Sequence, residues 1–292
     1  MEHVDASILS DHVCQLGEGP TYDPHSDTLF GFDIVNGSLI EQALSGGPAK
    51  VHALGQMASA LAIIDQGRQL IATETGLYVR ETATGKLTLH MPLEADNAVT
   101  RSNDARVHPS GAFWVSTMGK KAETGAGAIY WFFKGELRTL FSGLSIPNSI
   151  AFSADGAVAY FTDSATGFIM RTACDPVTGL PVGEPMVFAD RGDGTGDHDG
   201  SVVDLDGTLW NARWGEGRIT AYGQDGKLLR SIATPVGQPT CPAFVGKNAD
   251  RLAVTSAWAG LDEHQHASQP DAGKTFLLDL PVRGRFEPHI LI

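Results

Sequence analysis

The chain reads as an all-β protein, a six-bladed β-propeller with four-stranded antiparallel blades around a central channel. Three observations predict this. A short pattern recurs six times, led by Glu18, Ser59, Asn103, Asn148, Asp199 and Cys241 at intervals of 41 to 51 residues. Self-similarity at about 40–50 residues is the period of a propeller blade. Each lead segment enters a polar turn, at 24–27, 65–67, 109–111, 154–156, 205–207 and 247–250. An apolar run follows every turn, too short for a helix and rich in β-branched and aromatic residues.

Taken in order, the lead segments form the innermost strand of each blade, lining the channel. Second strands follow at 28–34, 69–74, 112–117, 158–163, 208–213 and 251–256. Third strands are expected at 76–80, 127–132, 167–171, 217–222 and 274–279. Several of these lead into hairpin signals at 83–85, 134–135 and 224–226, and so to a fourth strand. Residues 13–16 are expected to supply a strand to the last blade, because an open ring would leave sheet edges unpaired. The polar, proline-containing stretch 261–273 reads as a loop, and no amphipathic helix of three turns is expected.

The repeats occupy nearly all of the 292 residues, so one domain is expected over 1–292. Formal net charge is −13, from 21 Lys and Arg against 34 Asp and Glu, with no dense basic run. That balance argues against nucleic acid and against an anionic membrane surface as partners. No apolar run approaches the roughly 20 residues of a membrane span. Three cysteines form no paired framework, and the first residues lack an export signal, so a cytoplasmic protein is expected. No obligate protein partner is evident.

The six lead positions of a propeller surround one axis. Two carboxylates and two carboxamides stand there, Glu18, Asp199, Asn103 and Asn148, with no lysine at any of the six. Each could merely cap a strand end, but four at one repeat offset point to a shared role. Uncompensated carboxylates in a narrow site are costly unless a cation joins them. All-oxygen ligation suits a hard divalent ion such as calcium, magnesium or manganese, and tolerates zinc.

The residues resemble the family of senescence marker protein (regucalcin), bacterial gluconolactonases and luciferin-regenerating enzymes. The resemblance runs through nearly the whole chain. It is carried by Gly17-Glu-Gly-Pro20, by Arg101-Ser-Asn-Asp104 leading to Trp114-Val-Ser-Thr-Met118, by Pro147-Asn148 leading to Tyr160-Phe-Thr-Asp163, by Asp199-Gly200 leading to Gly207-Thr-Leu-Trp210, and by Gln269-Pro-Asp-Ala-Gly273. It implies a six-bladed propeller that hydrolyses sugar-acid lactones with one divalent cation (calcium, zinc, magnesium or manganese). Glu18, Asn148 and Asp199 would hold the ion. Arg101 would contact the substrate's oxygens, and Asn103 the substrate or a water on the ion. Two positions depart from the pattern. Lys120-Lys121 stands where some animal relatives carry a substrate-contacting acid, and His198 replaces an apolar residue or proline.

The expected chemistry matches the ligands: the ion would polarise the lactone carbonyl, and Asp199, meeting ion and channel together, is the best-placed base. Two other readings stay open, an organophosphate or aromatic-ester hydrolase on the same scaffold and a non-catalytic propeller that binds a divalent ion or a partner protein. Other features are set aside. Residues 193–200 resemble the start of an EF-hand loop, but lack its glycine, its closing glutamate and flanking helices. His264 and His266 sit in a polar stretch with no third ligand. Cys241 has no histidine placed beside it to activate its thiol, and Ser59 lacks a nucleophile-elbow context. The glycines of 124–127 do not open a helix, as a phosphate loop would require. Trp114, Trp131 and Trp210 read as core, whereas Trp214 and Trp258 follow their strands and could wall the mouth.

Overall fold

A computed structural model describes every residue from Met1 to Ile292 except Asp193. Six four-stranded antiparallel sheets stand around a common axis. The inner strands of blades 1 to 6 are Gly17–Asp23, Ala58–Asp65, Thr100–Val107, Pro147–Phe152, Asp197–Val203 and Pro239–Val245. In each blade but the last, successive strands pair in chain order from the axis outward.

Blade 6 is completed from the other end of the chain. Its outermost strand is Ala6–Ser10, paired antiparallel with Thr275–Leu278. The closing strand therefore lies several residues before the expected 13–16. Residues 13–16 instead bridge from blade 6 to blade 1, with one isolated pairing of Leu16 with Ala257. The stretch read as a loop at 261–273 contains a short helix, Glu263–Ser268. Asp262 caps it: its side chain accepts from Gln265 N–H, while the Gln265 side chain returns to Asp262 N–H, a reciprocal capping box.

Core packing falls between neighbouring blades. Trp114 of blade 3 meets Phe152 of blade 4 edge to face at 5.3 Å, and Phe141 stacks on Phe161 at 4.6 Å. Trp114, Trp131 and Trp210 are buried as expected. Their indole N–H groups reach Gly179 O, Thr178 O and Asp204 Oδ2 at 2.9, 2.8 and 2.9 Å. Each such side chain contributes about 1.5–3 kcal/mol through burial alone.

A second device ties the ring together. In four blades an acid on or just after the second strand accepts backbone N–H groups ahead of the inner strand. Asp33 takes Gln15 and Leu16, Glu74 takes Met57, Asp163 takes Ser145 and Ile146, and Glu216 takes Gly196. Charged acceptors make such bonds roughly twice as strong as neutral ones.

The last segment, 279–292, crosses the face at which the inner strands end and touches every blade. Gly284 donates to Ala249 O, Leu205 to Arg283 O, Ile290 to Ile63 O and Leu291 to Gly111 O. Arg285 donates to Phe152 O, and Phe286 packs 6.1 Å from Tyr22. Glu287 pairs with Arg106, inside the channel, at 3.3 Å. No helix among the described residues is long and apolar enough to cross a membrane.

Candidate active site

One irregularity, repeated in every blade, builds the site. The inner strand slips register with its neighbour at the lead position. The slips fall between Glu18 and Thr21, Ala58 and Ala60, Ser102 and Ala105, Asn148 and Ala151, His198 and Ser201, and Pro239 and Pro242. A bulge frees residues from the ladder and re-aims their side chains. Here it frees Asn103 and Asp199 themselves, and sits directly after Glu18 and Asn148. Sequence chemistry permits it. Gly19 adopts φ +57°, and a Cβ there would stand 1.9 Å from Ser59 O. Gly200 has the same constraint from Cys241, whose Sγ would lie 2.3 Å from an added Cβ. Ser149 holds φ +58° without being glycine. Its hydroxyl donates to Asp199 O at 2.7 Å, offsetting that backbone cost.

The bulges open onto a cavity of about 200 Å³ at the starting end of the inner strands. Glu18, Arg101, Asn103, Asn148 and Asp199 all line it. The five side chains named from the sequence thus share one space. Ser59 and Cys241 do not. Ser59 is buried beneath Asn103, donating to Asn103 O at 2.5 Å. Cys241 lies deeper in the channel, 3.5 Å from the Arg106 guanidinium. Its thiol is fully buried and pushed far above the ordinary range, which removes it as a nucleophile.

The polar residues are interlinked. Arg101 Nη1 donates to Ser102 O and to Asn103 Oδ1, both at 2.8 Å. Asn103 Nδ2 donates to Asn148 Oδ1 at 2.8 Å and to Pro147 O at 2.9 Å. Glu18 Oε2 accepts from Gly19 N–H at 2.9 Å, and the carboxyl groups of Glu18 and Asp199 are within hydrogen-bonding reach.

Electrostatically the site is an excess of carboxylate. Burial raises Glu18 to about 7, with Asp104 adding to the rise and Gly19 N–H, Asp199 and Arg101 opposing it. Asp199 is pushed well above its usual value by burial, then by Glu18 and Asp104. Burial raises Asp104 to about 6 against the pull of Arg106, and lowers Arg101 to about 10. Asp104 has no assigned part in the sequence reading, although it closes the Arg101-Ser-Asn-Asp104 motif. It lies on the second bulged position of blade 3, accepts Ile150 N–H at 2.7 Å and contributes a third negative group below the cavity. Three buried carboxylates, against Arg101 beside the cavity and Arg106 beneath it, fit a divalent cation with oxygen donors.

The wall above this floor is apolar, formed by Leu16, Met118, Ile146 and Trp214. Trp214 walls the mouth as expected; Trp258 instead stacks on His266 at 3.8 Å, outside the cavity lining. Lys120 is committed to Glu74 of blade 2, and Lys121 is exposed. Neither lines the cavity. His198 lines it but is held neutral. Asn211 Nδ2 donates to Asp199 O, so Asn211 Oδ1 faces His198 Nδ1 at 2.8 Å and fixes the proton there. Burial and the neighbouring Arg213 lower the imidazole to about 4. Of the EF-hand-like stretch, Asp193 lies outside the described residues, Asp197 pairs with Arg191 at 3.0 Å, and Asp199 belongs to the cavity.

A second grouping, His12, Cys14 and Asp33, brings ligand atoms within 4.8 Å of one another. Asp33 is already committed there: Oδ2 accepts Gln15 N–H and Asn36 Nδ2, and Oδ1 accepts Leu16 N–H. Asp163 makes the corresponding backbone bonds in blade 4, and burial drives the Cys14 thiol to about 12. The grouping is explained as a blade cap beside a buried thiol.

Comparisons with known proteins agree with this architecture. The model of the family described as SMP-30/Gluconolactonase/LRE-like region matches residues 16–258. A Rhizobium meliloti (strain 1021) protein, provisionally named a sugar lactone lactonase, is 48% identical over 96% of this chain and 95% of its own. The L-arabinolactonase of Azospirillum brasilense is 34% identical over 93% of this chain and 91% of its own. A crystal structure described as a calcium-binding protein, regucalcin, from Agrobacterium tumefaciens superposes with a TM-score of 0.98. It is 49% identical and covers 99% of this chain and 98% of its own.

Proposed function

Because the chain belongs to the SMP-30/gluconolactonase/LRE-like family, we propose that it is a lactonase that hydrolyses a sugar-acid lactone to the free acid. One observation carries the reading: Glu18, Asn148 and Asp199, from three separate blades, converge on one cavity with too little positive charge among them. These three would hold a divalent cation. Oxygen donors favour calcium, magnesium or manganese and tolerate zinc. Such an ion supplies Lewis-acid polarisation of the lactone carbonyl when bound.

The chain's own groups would do the rest. Asp199 would accept the proton of the attacking water, a role worth typically about 10²–10⁴-fold. Its burial and its carboxylate neighbours raise its proton affinity, which suits a base. Arg101 and Asn103 would hold the lactone's ring oxygens and hydroxyls, each pre-set by its bond to the other. Leu16, Met118, Ile146 and Trp214 would cover the bound ring and exclude bulk water. Three free, buried cysteines are consistent with a cytoplasmic setting.

The apolar wall favours one second reading, an ester hydrolase acting on a less polar substrate. Proton release measured on gluconolactone, galactonolactone and arabinonolactone, with and without chelator, tests the proposal, with a phosphotriester and an aryl ester alongside. Turnover confined to the lactones and lost with chelator is expected. Faster turnover of the ester would overturn the sugar-lactone assignment. Lactone turnover untouched by chelator would overturn the role of the ion.

A further inference from the structure

Asn148 can present either its carbonyl oxygen or its amino group to the cavity, and only the oxygen can bind a cation. We infer that Ser164 is the positioning residue that, opposite Asn103, fixes this choice from the amino end of the carboxamide and sets the span between blades 4 and 5 at the site. The inference rests on the proposed reading of Asn148 and Asp199 as ligands.

Ser164 Oγ donates to His198 O at 2.6 Å and accepts from Asn148 Nδ2 at 3.1 Å. A hydroxyl has one proton, and a backbone carbonyl can only accept. With that proton committed to His198 O, Ser164 offers Asn148 an acceptor and nothing else, so Nδ2 must face it. The far end of the chain is equally constrained. Arg101 can only donate; it takes Asn103 Oδ1, which leaves Asn103 Nδ2 to face Asn148 Oδ1. The bonds run in one direction, Arg101 to Asn103 to Asn148 to Ser164 to His198 O. Both ends are groups without an alternative role, so both carboxamides are fixed.

The serine is itself firmly seated. It is 3% exposed, its N–H donates to Ile146 O at 2.9 Å, and it opens a 3₁₀ turn, Ser164–Thr166, capped by Asp163. It therefore connects a proposed ligand of blade 4 to the residue preceding a proposed ligand of blade 5. Groups that orient metal ligands typically change ion affinity about 10–100-fold when removed.

The test measures binding of Ca²⁺, Mn²⁺ and Zn²⁺ to the full chain by competition with a chelator of known affinity. Thermal unfolding confirms the fold of each variant. Ser164→Ala should weaken the tightest ion about tenfold or more. Ser164→Thr, which keeps the hydroxyl, should stay within about threefold of the unaltered protein. With ion in excess, kcat of Ser164→Ala should recover. Ser164→Cys keeps the volume but only a weak donor and acceptor; it is measured beside the others and judged by the same criterion should Ser164→Ala not fold. Unchanged affinity in Ser164→Ala or Ser164→Cys, with Asn148→Ala weakened, would overturn the positioning role alone. Unchanged affinity in Asn148→Ala would overturn the ligand reading and the inference with it.

Discussion

Asn103 donates its Nδ2 to Oδ1 of Asn148 at 2.8 Å, across 45 residues of sequence and the boundary between two blades. The bond means that these two cavity residues depend on each other's backbone as much as on their own. Glu18, Arg101 and Asp199 also come from bulged inner strands, each packed between blades of other repeats. Ring closure and site geometry are therefore a single structural condition.

Asp199→Asn should remove turnover while leaving the fold intact. The amide keeps the volume and one oxygen donor but cannot accept the proton. A fall of at least 10² in kcat is expected, with circular dichroism and unfolding temperature close to those of the unaltered protein. A lactonase rate within tenfold at saturating ion would exclude Asp199 as the base.

Glu18→Gln addresses the ion separately from the proton. Losing one anionic donor should raise the ion concentration needed for half-maximal activity, with kcat largely restored when ion is in excess. Activity that stays low at every ion concentration would place Glu18 in the chemical step instead.

The raised carboxyl groups give a pH signature. Glu18 rises to about 7 and Asp104 to about 6 in the ion-free fold, while unfolded carboxylates titrate near 4. The folded state therefore binds more protons across this window, so its stability is full below about 4 and declines as pH rises through 6 to 7. Ion binding must displace those protons at low pH and relieves repulsion at high pH. Differential scanning calorimetry should show a larger ion-induced rise in Tm at pH 8 than at pH 5. An equal or opposite difference would contradict the assignment of the ion to Glu18 and Asp199.

Glu287→Ala should destabilise without touching the cavity wall. Arg106 is 6% exposed and Glu287 19%, and removing Glu287 leaves Arg106 with Asp104 and the carbonyls of Ile150 and Ser201 as partners. The expected loss is about 1.5 kcal/mol in chemical denaturation, that of one charged hydrogen bond. A loss below about 0.5 kcal/mol would show that the Glu287–Arg106 pair adds nothing to the anchoring of segment 279–292.

The repeat made much of this legible. Glu18, Asn103, Asn148 and Asp199 recur at one offset, and an offset shared by the blades of a ring becomes proximity at its axis. The bulges that turn these residues inward left no comparable mark. Gly19 and Gly200 sit in two of them, but Ser149 and Asn103 show nothing in their residue types that announces a slipped register. Asp104 and Arg106 were visible in position yet not in role, because their partners Ile150 and Glu287 come from other parts of the chain. Ala6–Ser10 eluded pattern reading for a related reason. As an outermost strand it is exposed over its first three residues, so it lacks the alternation that marks a half-buried strand. Lys120 and Glu74 show the limit of motif comparison: a residue that departs from the family pattern faces a neighbouring blade rather than the cavity.

The segment 279–292 stoppers the far end of the channel, where Cys241 has no solvent exposure. Among the described residues, the doorway of the well lies at the opposite end, where the inner strands start. Reactant and product must share it in opposite directions, so the newly formed acid obstructs the next arrival until it departs. Alterations at Leu16, Met118, Ile146 or Trp214 should for that reason retune departure as well as entry.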